Sequence, residues 1–326
     1  MQQQIFMRAV WQARKRLQPY LTKTPLIKSA VLSEKCGVPV WLKLETLQPS
    51  GSFKLRGALN FLQSLPVAEQ QRGVTAFSTG NHGLAVAYAA KQAGIRAVIF
   101  VSEAVPEAKK EALRASGAEL VITGKSQDEA GAACLQMSEK EGLPLVPPFD
   151  HPAIIAGQGT LGLELLEDLP EIDTVIAGLS GGGLLGGVGL ALKETDRSIT
   201  VAGISIEKGA AMEESLAAGR PVDVPEHPTF ADSLLGGIGA DNRYTLEAVK
   251  QYVDTRFRLS EESIARGMAF LYKHHRLVVE GAAAVGVGAL LHGDIRPKGP
   301  TAVIVTGAGI DVGTHLETVR PYMDGV

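Results

Sequence analysis

The chain has 326 residues, of which 45% are hydrophobic and 21% charged, enough for about two domains with a sizeable buried core. Its 32 basic and 35 acidic residues sum to a formal charge of −3, which argues against a general nucleic-acid or anionic-membrane binder, since either needs a basic face. Two cysteines, Cys36 and Cys134, show neither CxxC nor metal-ligand spacing, so a disulfide scaffold and a cysteine-built zinc site are excluded and a reducing, cytoplasmic setting is expected.

In chain order, β-branched runs at 40–44, 74–77, 96–101, 120–123, 174–177, 200–206 and 301–306 predict strands. Most are continuous apolar runs, the pattern of strands buried on both faces. Between them, 83–93, 106–116, 154–167 and 261–275 read as helices, the second opened by Pro106 and stopped by Gly117. This alternation implies parallel sheets flanked by helices, an α/β fold. Residues 144–152, rich in proline, and the polar stretch 69–73 mark boundaries, and 219–230, with Pro221, Pro225 and Pro228, reads as a surface loop. The start Met1-Gln2-Gln3-Gln4 does not open a signal peptide. Residues 174–192 carry no charge and have the length of a bilayer span, but seven of these 19 are glycine. A strand, a glycine loop and a helix start is the better reading.

Four segments carry candidate chemistry. In the run from Leu42 to Ala58 a strand ends, a Pro/Ser/Gly turn follows, and a helix begins near Ser52 with Lys54 in its first turn. The positive end of the helix dipole disfavours a cation there and lowers the ammonium pKa, as an imine-forming lysine requires; a surface lysine at an unfavourable position is the alternative. Phe77-Ser78-Thr79-Gly80-Asn81-His82-Gly83 brings hydroxyls, an amide and an imidazole to a strand's carboxyl end, where ligands sit in open α/β sheets, although helix capping alone would favour the same residues. Ser180-Gly181-Gly182-Gly183-Leu184 frees backbone N–H groups for a phosphate; Gly181, Gly183 and Gly186 also satisfy GxGxxG, with Glu207 a ribose partner in that reading. Finally, Thr306 leaves a strand into the turn Gly307-Ala308-Gly309.

Together these segments resemble the threonine/serine dehydratases of the fold type II (β-family) pyridoxal-phosphate enzymes, from Thr24-Pro25-Leu26 to Thr306-Gly307-Ala308-Gly309-Ile310-Asp311. The resemblance implies a tryptophan-synthase-β-like architecture, with a large domain of 1–66 and 152–326 and a small domain of 67–151 inserted in it. It implies pyridoxal 5'-phosphate held through Lys54, with Phe53, Asn81, Ser180, Gly181, Gly182, Gly183, Leu184 and Thr306 as its other binding residues. Ser78, Thr79, Asn81 and His82 are implied to bind an amino-acid substrate, and Lys54 and Thr79 to act in catalysis. The implied reaction is α,β-elimination from a β-hydroxy amino acid such as threonine, serine or a 3-hydroxyaspartate-like compound, giving an oxo acid and ammonia. A cytoplasmic homodimer is expected, binding neither nucleic acid nor membrane.

Two positions depart from the family's pattern. Thr79 stands where racemizing members carry serine, which ranks racemization below dehydration. Ser205 stands where many relatives carry a metal-binding glutamate, so no metal is expected there unless Glu207 compensates. The segments around 203–212 and 231–239 resemble the dehydratase branch associated with hydroxyectoine breakdown, and the C-terminal regulatory domain of the long dehydratases is not expected. The competing readings are a racemase, a cysteine-synthase-like β-replacement enzyme, and a noncatalytic dinucleotide-binding protein. Elsewhere, Glu280 reads as a residue near the cofactor or a helix cap, His274 and His275 as a solvated basic patch, and Arg56 as a hinge or dimer residue.

Overall fold

A computed structural model describes residues 5–78, 80–105 and 107–326. Nine strands, among the described residues, form two sheets. They are β1 (Leu26–Lys28), β2 (Val40–Leu44), β3 (Val74–Phe77), β4 (Ala97–Val101), β5 (Glu119–Ile122), β6 (Thr174–Gly178), β7 (Thr200–Ile206), β8 (Thr255–Leu259) and β9 (Thr301–Val305). The larger sheet has the order β1-β2-β9-β6-β7-β8 and is parallel except for β1; the smaller, β3-β4-β5, is wholly parallel. This is the α/β fold the alternation predicts. The uncharged stretch 174–192 is β6, a loop and most of the helix Gly183–Lys193, and no helix among the described residues is long and apolar enough to cross a membrane.

Two strands escape the apolar-run criterion, and both lie at sheet edges. β1 has only three residues, and β8, Thr-Arg-Phe-Arg-Leu, exposes Arg256 and Arg258. An edge strand needs no continuous apolar run, and charge along it discourages pairing with another chain. The 69–73 stretch falls within a short helix, Val67–Arg72, followed by Gly73, whereas 220–229 runs without helix or strand. Pro106 lies outside the described residues.

The helix Lys54–Ser64 links the two sheets. Leu55, Leu59 and Leu62 are buried with Val74, Ala76, Ile99 and Val101 in the core over the smaller sheet. Each buried leucine contributes roughly 1.5–3 kcal/mol. Arg56 faces the larger sheet's side and is itself buried. Its Nε and Nη2 donate to Glu45 at 2.7 and 2.8 Å, and its Nη1 and Nη2 donate to Glu164 at 2.7 and 2.9 Å. Lys43 Nζ lies 2.7 Å from Glu164 and donates to the Thr24 carbonyl, also at 2.7 Å; Thr24 Oγ1 donates to Glu45 at 2.6 Å. Burial pulls the Arg56 pKa down, but the two carboxylates overcome it and hold it above the ordinary arginine range. Arg56 therefore anchors the helix from inside the chain, rather than standing on a surface that a second chain could meet.

The histidine pair is also corrected. His274 and His275 are half-buried, with ring centroids 4.6 and 6.0 Å from Phe270, and His275 Nε2 lies 2.8 Å from Ser29 Oγ. Lys273 Nζ donates to the carbonyls of Met323 and Val326. Lys273 thus docks the C-terminal segment, while the two histidines pack inward against Phe270 and Ser29 rather than form a solvated patch.

Candidate active site

A cavity of about 350 Å³ opens between the carboxyl ends of the two sheets. The larger sheet supplies Phe53 and Lys54 after β2, the glycine loop after β6, and Thr306 after β9; the smaller supplies Ser78, Gly80, Asn81 and His82 after β3. Opposed strand ends make a ligand crevice here for the reason they do in any open α/β sheet: helix starts and loop amides converge there.

Lys54 is the first residue of its helix, and its Nζ donates to the Pro148 carbonyl at 2.8 Å and lies 5.4 Å from the Phe53 ring centroid. Burial pushes its pKa down from 10.5 to about 8, against the pull of the Glu280 charge. The depression expected from the sequence is present, but burial rather than the helix dipole leads it. Nearby Ser52 is buried, and its hydroxyl has no partner among the described residues.

The glycine loop runs from the end of β6 into the helix Gly183–Lys193, with Gly182 at φ +83°, a left-handed conformation that favours glycine. A side chain at Gly181 would overlap the Phe149 ring, and one at Gly183 would sit 3.0 Å from Phe149 Cβ. The first turn of any helix leaves its N–H groups without intrahelical partners, so this loop presents a row of free donors and a positive dipole end to the cavity.

On the opposite wall, Asn81 Nδ2 lies 2.8 Å from both carboxylate oxygens of Glu280, which also accepts from the Gly309 amide at 3.0 Å. Burial raises the Glu280 pKa, and the Asn81 and Gly309 contacts oppose it. Glu280 occupies the cap position of the helix Gly281–His292 without making a capping bond; it lines the cavity instead. His82 Nε2 lies 2.9 Å from the Val146 carbonyl, and burial, with the Lys54 charge, lowers its pKa to about 3. A neutral imidazole with its proton on Nε2 satisfies that contact. Ser78 Oγ accepts from the Gly80 amide at 3.4 Å. Thr79 lies outside the described residues.

Residues 17–307 match the family described as "Pyridoxal-phosphate dependent enzyme". The chain belongs to this family. L-threonine ammonia-lyase of Thermotoga maritima is 41% identical over 302 residues, covering 92% of this chain and 75% of that protein. Among solved structures, maize serine racemase matches with a TM-score of 0.90 at 31% identity, covering 98% of both chains. The processed form of threonine deaminase isoform 2 from Solanum lycopersicum matches with a TM-score of 0.89 at 31% identity, covering 98% of this chain and 94% of that one. The architecture is that of the fold type II enzymes.

The cavity of this pyridoxal-phosphate enzyme fits its cofactor. A lysine of lowered pKa shares the cavity wall with Gly181, Gly182 and Gly183, whose neighbours leave no room for side chains, and the buried Oε1 of Gln158, which also lines the cavity, has no partner among the described residues. The GxGxxG alternative fares worse. Gly186 packs against Ala248, where an added Cβ would come within 3.0 Å of the alanine methyl, and Glu207 is exposed at the end of β7, away from the residues that line the cavity. Ser205 is buried and donates to the Leu179 carbonyl at 2.9 Å. Residues of the cavity wall that sequence reasoning gave no role include Lys109, Gln127, Gln158 and Asp232. Lys109 and Gln127 follow β4 and β5 as Ser78 follows β3, and that equivalence was the available signal.

Proposed function

We propose that this enzyme is a β-hydroxy amino acid dehydratase, an ammonia-lyase that converts its substrate to an oxo acid and ammonia by α,β-elimination. The observation that carries the reading is Lys54: a lysine of lowered pKa lining the same cavity as the glycine loop. The relative named L-threonine ammonia-lyase supports the reaction class. Bound pyridoxal phosphate supplies the electron sink that acidifies the substrate's Cα–H.

The chain's own residues do the rest. Lys54 would hold the cofactor through its Nζ, and the same amine, when free, would take the substrate's Cα proton. Ser180, Gly181, Gly182, Gly183 and Leu184 would hold its phosphate, Phe53 and Asn81 would contact its ring, and Thr306 would offer the ring nitrogen a hydroxyl rather than a carboxylate. Ser78, Thr79, Asn81 and His82 hold the substrate's α-carboxylate through hydroxyl, amide and backbone donors. With His82 kept neutral by burial, that carboxylate is bound without a full histidine charge.

In this reading the protein is a cytoplasmic homodimer, with 67–151 inserted as a smaller unit between 1–66 and 152–326, in the hydroxyectoine-associated branch. Lys54→Ala is the test. The variant is expected to lose both the covalently held visible absorbance and ammonia release from a panel of β-hydroxy amino acids. Retention of either in full refutes the assignment.

A further inference from the structure

One wall of the cavity has no part in the chemistry above. β4 leads into the helix Glu107–Ala115, which carries Lys109, and β5 leads into the helix Gln127–Glu141, which begins at Gln127; both side chains line the cavity. All three strands of the smaller sheet thus deliver a polar group from their carboxyl ends into one space.

Both amide atoms of Gln127, Nε2 and Oε1, are buried and have no hydrogen-bond partner among the described residues. The helix does not need them, because Ser126 Oγ already accepts from the Glu129 amide at 3.2 Å as the cap. Buried polar atoms are nearly always paired in folded proteins, so a doubly unpaired amide on a cavity wall marks a place that a ligand completes. Lys109 Nζ lies 3.6 Å from Asp232 Oδ2, with 38% and 55% of the two side chains exposed. An ion pair that exposed is weak, and an anionic ligand can replace Asp232. Serine and threonine carry only hydrogen or methyl beside the β-hydroxyl, and neither substituent answers an amide and a cation.

We infer that Gln127 and Lys109 select the substrate, a β-hydroxy amino acid whose β-carbon bears a second carboxylate. This rests on the dehydratase reading and names its substrate class. Gln127 Nε2 and the Lys109 ammonium donate to the second carboxylate, and Gln127 Oε1 accepts from the β-hydroxyl, which leaves neither amide atom unpaired.

The test uses the cofactor-loaded enzyme. Aspartate and alanine, which have no leaving group, are titrated against the cofactor's absorbance, and kcat/KM is measured for 3-hydroxyaspartate stereoisomers and threonine. The expected result is aspartate binding at least ~30-fold tighter than alanine, and a 3-hydroxyaspartate over threonine preference of about 100-fold or more, as for sites built to pair a substrate's polar group. Gln127→Leu and Lys109→Met should each cut the aspartate preference at least ~10-fold. Equal affinity for aspartate and alanine, or a preference unaltered in both variants, overturns the inference. Ammonia from threonine without any aspartate preference sinks the selector and leaves the dehydratase standing. An intact aspartate preference that falls in the variants, with no ammonia from any hydroxy amino acid, supports the selector and sinks the dehydratase.

Discussion

The lowered pKa of Lys54 has a measurable size. At pH 7 an amine of pKa about 8 is about 9% neutral, whereas one at 10.5 is about 0.03% neutral, a gain of about 300-fold in reactive base. The same fall makes protonated Lys54 unfavourable in the folded chain by about 3 kcal/mol. An unfolded lysine keeps its proton to 10.5 and the folded one sheds it near 8, so the unfolded state binds more protons between them. Stability therefore rises with pH across that window. Competitive labelling reads the midpoint: cofactor-free protein is pulsed with trace acetic anhydride from pH 6 to 11, and acetylation of Lys54 is followed by mass spectrometry against an added lysine standard. The expected midpoint lies near 8. Glu280→Gln, which removes the charge opposing the fall, should move it lower still. A wild-type midpoint at or above 10, or an upward move in Glu280→Gln, refutes burial as the cause.

Arg56→Met should cost about 3–5 kcal/mol in urea unfolding, because it removes the cation paired with the buried Glu45 carboxylate and leaves Glu164 with only Lys43 and Arg14. Adding Glu45→Gln should recover part of the loss, and a cost below ~1 kcal/mol would show that the buried network does not hold the helix. Gly181→Ala drives a methyl into the Phe149 ring, and cofactor affinity measured by fluorescence titration should fall at least ~10-fold with the far-UV circular dichroism unchanged. Undiminished affinity would place the phosphate elsewhere.

Local pattern carried the parts of the molecule that sequence reveals. Strands such as β4 and β9 are buried along their whole length and so write nearly continuous apolar runs, and the glycine loop lies in one unbroken stretch. β1 and β8 are edges, where one side meets solvent and the run dissolves. Arg56 has no local signature at all, since Glu45 and Glu164 stand 11 and 108 positions away. Glu280 reads from the sequence as either a residue near the cofactor or a helix cap, and its pairing with Asn81, 199 positions away, is visible only in the fold. Lys54 shows a different kind of gap: the direction of its pKa follows from the sequence, but the cause, burial, depends on walls that only the fold assembles.

The Arg56 network also sets how this chain can be recombined. Its members, Thr24, Lys43, Glu45, Arg56 and Glu164, lie on either side of the segment from 65 to 150 and none falls within it. A crossover that separates Arg56 from Glu164 must carry a matching carboxylate with it or leave the buried guanidinium to Glu45 alone. Paired crossovers at both ends of that segment leave every partner in place. The walls carrying Ser78, Lys109 and Gln127 thus ride on a piece of chain that contributes nothing to the Arg56 anchor, so what an exchanged segment must match is the packing face for Leu55, Leu59 and Leu62 and the carbonyl that Lys54 meets at Pro148.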